Sequence, residues 1–460
     1  MAGARDATAP AAYKEAPREG GATWLPAAPA DTLDRGDWWT LFADPALSAL
    51  EARVQVNNQN VIAAEAAYRE ARATVSEQRA GLFPTITLNG NGTTSGGGAG
   101  SKGSVITGGG GTVVTSGGGQ TSQYRASIGA TWEPDVWGRI RRTIEAARAN
   151  AQASEADLAA ARLSAQGELA TDYFGLREAD AEIALDQATV AAYQRALKIA
   201  QNRYNAGIGQ KSDVLQAQTQ LANAQADLAG LSQQRANFEH AIAVLVGEAP
   251  GNFALAAAPW TETVPAVPAV VPSTLLQRRP DIAAAERRVQ AANAQIGVQT
   301  AAYFPSISLT GSYGFASKEL SSLIGSSNSL WSYGLALAET VFDAGARRAR
   351  VSEAKAAHDQ AVAQYRQTVL SALQDVENQL AATRVLAEQS DLRRQASAAA
   401  DAAEQIMANR YQAGQVAYSD VVTTQTAAFS ARRAVAQAAA QRQTTAVALI
   451  QSLGGGWRVP

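Results

Sequence analysis

Cysteine is absent from the 460-residue chain, which excludes disulfides, thiolate metal sites and cysteine nucleophiles and leaves the redox compartment open. Histidine is nearly absent too. His240 and His358 both sit in Ala/Gln/Arg-rich helical sequence without partners at ligand spacing, so they read as helix-surface residues, and neither a metal nor a cofactor is expected. Charged residues make up only 17% and the formal net charge is -2, which excludes a nucleic-acid binder by charge. No run approaches the roughly 20 uninterrupted apolar residues of a membrane-spanning helix, and the first 21 residues lack the apolar heart of a secretion signal. The chain is then either a soluble cytoplasmic protein or a mature chain whose signal was removed, with Met1 supplied for expression.

What the chain does have is a repeat. "NRYNAGIGQKSDVLQAQTQ" from Asn202 returns as "NRYQAGQVAYSDVVTTQTA" from Asn409, at an offset of 207 residues. At that offset Gly138, Arg141 and Gly247 also fall on Gly345, Arg348 and Gly454. Upstream the offset is 221, where "LFPTITLNG" from Leu82 matches "YFPSISLTG" from Tyr303, so the first copy carries a 14-residue insertion. It falls in the Gly/Ser-rich stretch from Gly92, an exposed loop by composition. A phosphate-binding loop is excluded there because Lys102 is followed by Gly103 rather than Ser or Thr.

Either side of this loop the sequence alternates with period two. Ile86 and Leu88 share one face, as do Tyr124, Ala126, Ile128, Ala130 and Trp132. The second copy repeats this with Ile307, Leu309, Tyr313 and Phe315, then Trp331, Tyr333, Leu335 and Leu337. Two hairpins are predicted, over 83–134 and 304–343. Small polar residues on their other face fit either a packed sheet or a barrel wall with water inside. The aromatics near the strand ends favour lipid outside.

The rest reads as helix. Ile140 to Arg203 and Ala346 to Arg410 contain no proline, and each run of roughly 60 residues makes a rod of about 90–100 Å. Each ends in a Gly-containing turn, followed by a Ser-Asp start signal (Ser212, Asp213; Ser419, Asp420) and a helix of roughly 35 residues. A half-length helix also precedes each pair of strands. The organisation predicted is an extended leader over 1–36; a first repeat over 37–250 with its helical hairpin at 139–247; a Pro/Ala linker over 251–272; a second repeat over 273–456 with its hairpin at 346–453; and a short tail over 457–460. Four strands are too few to close a membrane barrel, which needs about eight or more, so several chains must combine.

The segments "DWWTLFADPALSAL" from Asp37, "WEPDVWGRIRR" from Trp132, "VPSTLLQRRPDI" from Val271, "YFPSISL" from Tyr303 and "LGGGW" from Leu453, in this order and with the duplication, resemble the outer-membrane factors of tripartite efflux and type I secretion systems, the drug- and metal-efflux branch above all. The resemblance implies a mainly α chain with a β-barrel part. Its long coiled-coil hairpins form a periplasmic tunnel, and its four strands contribute to a trimeric twelve-stranded barrel in the bacterial outer membrane. It implies a homotrimer in outer-membrane lipid, with a periplasmic adaptor and, indirectly, an inner-membrane transporter as partners. Branch members often carry a lipid on an N-terminal cysteine.

The two quoted turns become the periplasmic tip, with Gly207, Lys211, Ser212, Gly414, Tyr418 and Ser419 as adaptor contacts. By the same resemblance Tyr411 tethers the inner hairpin to the outer one through Asp213, and Asp420 rings a closed aperture. The second acidic position of the family is Thr423 here, and a basic one is Val416, so a single acidic ring is expected. On the residues alone Ser419 or Asp420 is a helix N-cap and Tyr411 is packing. A cell-surface adhesive coiled coil without channel activity is the other reading of the chain. No nucleophile, base and oxyanion set can be assembled for an enzyme, because the carboxylates lie along helix faces at salt-bridge spacing.

Overall fold

Helix boundaries follow from local capping, and the computed structural model describes them over residues 14, 36–96, 121–260, 262–265 and 278–455. Nearly all of the predicted leader, most of the Gly-rich loop, the later part of the linker and the tail lie outside the described residues. Helix α1 (Pro45–Asn57) starts where the Asp44 carboxylate accepts the Ala46 and Leu47 amides at 2.8 and 3.1 Å, with proline at the first helical position. It stops at Asn58, whose backbone is extended. The Asn58 side chain then accepts the amides of Asn60 and Val61, opening α2 (Gln59–Ala80), and donates to the Leu245 carbonyl at 2.9 Å. The single helix expected ahead of the first strands is therefore two, because one asparagine ends the first and caps the second.

The duplication is exact in length where the helices are longest. Helices α3 (Arg139–Asn205) and, in the second copy, α6 (Ala346–Gln412) have 67 residues each, while α4 (Lys211–Leu245) and α7 (Tyr418–Ser452) have 35 each. The remaining helix, α5 (Pro280–Ala301), precedes the second pair of strands. Both long helices are opened by an aspartate just upstream. Asp135 accepts the amides of Ile140 and Arg141, Asp343 accepts those of Gly345 and Arg347, and each also binds the arginine side chain.

The chain divides into two compact units. The first comprises residues 1–70, 152–288 and 361–460. Its main core gathers Trp38, Phe42 and Leu47 with Leu169, Phe174 and Ile450, all at most 1% exposed. A hydrogen-bonded network lies beside that core. The Tyr173 hydroxyl donates to Asp44 at 2.6 Å, and Arg177, 3% exposed, binds Tyr173, Asp180 and the Ala256 carbonyl. A buried guanidinium is tolerated only when its donors are paired in this way. The second unit comprises residues 71–151 and 289–360 and contains one antiparallel sheet, β1 (Thr85–Ser95), β2 (Thr121–Trp132), β3 (Ser306–Ser317) and β4 (Ser329–Ala338), in spatial order β1-β2-β3-β4. The two predicted hairpins are thus joined through β2 and β3.

Candidate functional site

Two regions carry the functional expectation, the sheet and the turns between paired helices. Residues that face each other across an antiparallel ladder share a face, so the pairing registers sort the sheet directly. Leu88, Ile128, Tyr313 and Trp331 form one row across all four strands. The adjoining rows pair Ile307 with Leu337 and Leu309 with Leu335. On the opposite face the corresponding row is Thr87, Gly129, Ser312 and Ser332, with the last two hydroxyls bonded at 2.8 Å. The alternation expected from the sequence is present in every strand, with all large aromatic side chains on one face.

Among the described residues of its unit, that apolar face is largely uncovered. Leu88 is 84% exposed and Tyr333 83%, and the Trp331 and Tyr333 rings stack with centroids 5.7 Å apart. The outer edges of β1 and β4, of 11 and 10 residues, have no strand beside them among the described residues. An exposed apolar face and two long unpaired edges suit neither water nor a solitary chain.

In the helical unit both turns close alike. After α3 the Ile208 amide bonds the Arg203 carbonyl and the Gly207 amide that of Tyr204; after α6 the Gln415 amide bonds Arg410 and that of Gly414 bonds Tyr411. Gly207 and Gly414 have φ of +74° and +72°, the left-handed conformation that this helix ending requires and that a side chain disfavours.

The Ser-Asp pairs do not cap the following helices. These begin one or two residues earlier, after Gln210 and Ala417, neither of which makes a side-chain cap bond, so Ser212, Asp213, Ser419 and Asp420 lie in the first turn. A carboxylate there gains from the helix dipole without being the cap, which is why the pattern pointed to the right helix and the wrong boundary. Asp420, Ser419 and Thr423 are exposed, and the Thr423 hydroxyl bonds the Ser419 carbonyl at 2.9 Å.

Tyr411 and Asp213 are brought into one cluster, but the expected hydrogen bond between them is not made. The Tyr411 hydroxyl is buried without a hydrogen-bond partner; its ring lies 4.9 Å from the Arg203 guanidinium and 5.4 Å from the Tyr418 ring. Burial and the Asp213 charge raise the phenol's pKa while Arg203 lowers it. Tyr418 is only 3% exposed and packs with Ala200, Ala217 and Val421, so it is part of the join between hairpins and cannot itself offer an adaptor contact. Burial pushes its hydroxyl up to about 12. Sequence reasoning missed this role because a tyrosine beside a glycine turn reads equally as surface.

The sequence pattern of the outer membrane efflux proteins matches residues 50–248 and 271–455, one block for each copy of the repeat. The solvent efflux pump outer membrane protein SrpC of Pseudomonas putida is 32% identical over 427 residues, 91% of this chain and 87% of its own length. The cation efflux system protein CusC of Escherichia coli is 28% identical over 431 residues, covering 93% and 90%. Among solved structures the outer-membrane channel OprN superposes with a TM-score of 0.82 at 31% identity, over 96% of this chain and 99% of that one. With the duplicated helical hairpins, the four-stranded sheet and matches spanning both repeats, the chain belongs to the outer membrane efflux protein family.

Proposed function

We propose that this protein is the outer-membrane exit duct of a tripartite efflux pump, a homotrimer that passively conducts solutes delivered by an inner-membrane transporter through a periplasmic adaptor. The observation that carries the reading is the sheet. One chain presents a continuous apolar and aromatic face, a polar face and two free edges. Three such sheets joined edge to edge make a closed twelve-stranded wall with lipid outside and water inside, which removes every open edge. The duplicated hairpins supply six similar helical pairs from three chains, a pseudo-sixfold tube suited to a ring-shaped adaptor. No bond is made or broken, and energy comes from the transporter.

The turns Gly207 and Gly414, with the exposed side chains of Lys211, Ser212 and Ser419, are the surface offered to the adaptor. Asp420, also exposed, supplies one carboxylate per chain at the entrance. The shared packing of Tyr411 and Tyr418 against the first hairpin holds that entrance narrow. Conductance across a planar bilayer, measured together with the mass of the detergent-solubilised particle, tests the proposal. A trimeric mass with channel activity is expected. A dimeric mass ends the twelve-strand wall, and a trimer that never conducts leaves the adhesive coiled coil.

A further inference from the structure

Away from the tip, α3 carries Glu178, Glu182 and Asp186 at spacings of four residues, so three carboxylates lie along one face of one helix. Like charges at this spacing repel, and no arginine or lysine of α3 is bonded to them. Compensation comes from the other repeat. Arg433 of α7 donates to Glu182 at 3.0 Å, and Gln437, one turn further on, donates to the second Glu182 oxygen, also at 3.0 Å. Glu182 therefore joins the first helical hairpin, α3–α4, to the second, α6–α7.

The balance is incomplete. Asp186 is 0% exposed, and neither of its carboxylate oxygens has a hydrogen-bond partner; the Arg433 Nε is buried and unbonded as well. From α4 the exposed Asp227 adds its charge to that felt by Asp186. The nearby cations Arg177 and Arg235 are committed to Asp180 and Glu239. The groups acting on this stripe are then Glu178, Glu182 and Asp186 from α3, Asp227 from α4 and Arg433 from α7, four carboxylates to one guanidinium.

We infer that this cluster is a proton-controlled latch between the two helical hairpins, firm in mild acid and loosened as pH rises through neutrality. With Glu178 and Asp186 protonated, Arg433 answers Glu182 alone. With both ionised, the guanidinium is shared among competing carboxylates on a half-buried helix face, and the stripe repels itself. The direction follows from the shifts. Burial and the Glu182 charge push Glu178 up to about 7, against the pull of Arg433, and burial raises Asp186 as well. A carboxyl whose folded-state pKa is raised contributes its full stability below its unfolded value and loses it as pH rises through the folded value. For Glu178 that window runs from 4.5 to about 7.

Hydrogen exchange of the full-length protein at pH 5.5 and pH 8, corrected for the chemical exchange rate, tests the latch. In the parent, protection of the amides around Arg433 and around Glu182 falls about thirtyfold between the two conditions, one order of magnitude for each of the roughly 1.5 pH units of the Glu178 window above pH 5.5. Glu178→Gln shrinks that fall to the part Asp186 contributes, whereas Glu182→Gln is poorly protected at both because the ion pair itself is gone. Asp186→Asn gives an independent reading and shrinks the fall. Equal protection in the parent at the two pH values, or an undiminished fall in both Glu178→Gln and Asp186→Asn, overturns the inference. Neither outcome depends on conductance, so the channel reading stands or falls separately.

Discussion

Tyr333 in the sheet and Tyr173 in the helical unit have the same side chain, yet the first is 83% exposed and the second 1%. The contrast extends to their neighbours. Leu335 and Leu88 face outward from the sheet, while Leu169 and Leu47 are fully enclosed. In water the two arrangements cannot both be favourable, because every apolar square ångström left exposed costs about 25 cal/mol. They are compatible once the sheet's surroundings are lipid, where an outward leucine is at home. The difference shows that this chain folds against two solvents, and that burial within one protomer measures stability only in the helical unit.

Breaking the enclosed side should have the largest effect. Trp38→Ala removes an indole that is 0% exposed and packed on Trp39 and Phe42, and it should cost about 3–5 kcal/mol, read as a lower thermal midpoint of the purified protein. On the lipid side, Leu335→Arg would be nearly silent for a leucine exposed to water, yet it should cost about 2–4 kcal/mol at mid-membrane, read as loss of assembled oligomer in lipid.

Glu51 sharpens the contrast from the other direction, as a polar group inside the enclosed core. It is 0% exposed, both carboxylate oxygens lack partners, and burial pushes its pKa up from 4.5 to about 9. Below pH 4.5 the folded and unfolded chains are both protonated. Between 4.5 and about 9 only the unfolded chain releases its proton, so stability falls as pH rises and levels off above. Glu51→Gln should flatten that slope and raise stability at pH 7.5 by about 1–3 kcal/mol.

The smallest effects belong to the turns. Tyr411→Phe deletes a hydroxyl that makes no hydrogen bond and keeps the ring, so conductance should stay at the parent level and stability within about 0.5 kcal/mol. Asp420→Asn should leave stability unchanged while weakening block by divalent cations in single-channel records. If Tyr411→Phe opens the channel, a tether through the hydroxyl forms in the assembled state.

The strands and long helices were legible because periodicity needs no partner. Alternation placed Leu88, Ile128, Tyr313 and Trp331 on one face, and the absence of proline gave two rods of equal length. Asn58 was not legible, since one asparagine acting at once as helix stop and helix start looks like any polar residue in a helical run. At the tip, the resemblance pointed to Tyr411 and Asp213 and gave Tyr418 to the adaptor, but which side chains are buried and which atoms bond depends on packing between hairpins about 200 residues apart. In the sequence, Glu178, Glu182 and Asp186 do not stand out from the other carboxylates that lie along helix faces at salt-bridge spacing. Only the position of Arg433 on the other hairpin shows that a single cation answers that stripe.

The open edges of β1 and β4 bear on inheritance as well as on structure. A wall closed only by copies of itself makes each chain's defect everyone's defect. A proline placed in β1 would spoil every assembly that the altered chain joins, while leaving that chain's helical core able to recruit normal partners. Expressed in equal amounts with the parent, such a variant would leave only about one trimer in eight free of it. Edge-strand mutations should therefore behave as dominant, whereas a core mutation that prevents the chain from folding withdraws it from the pool and should be recessive.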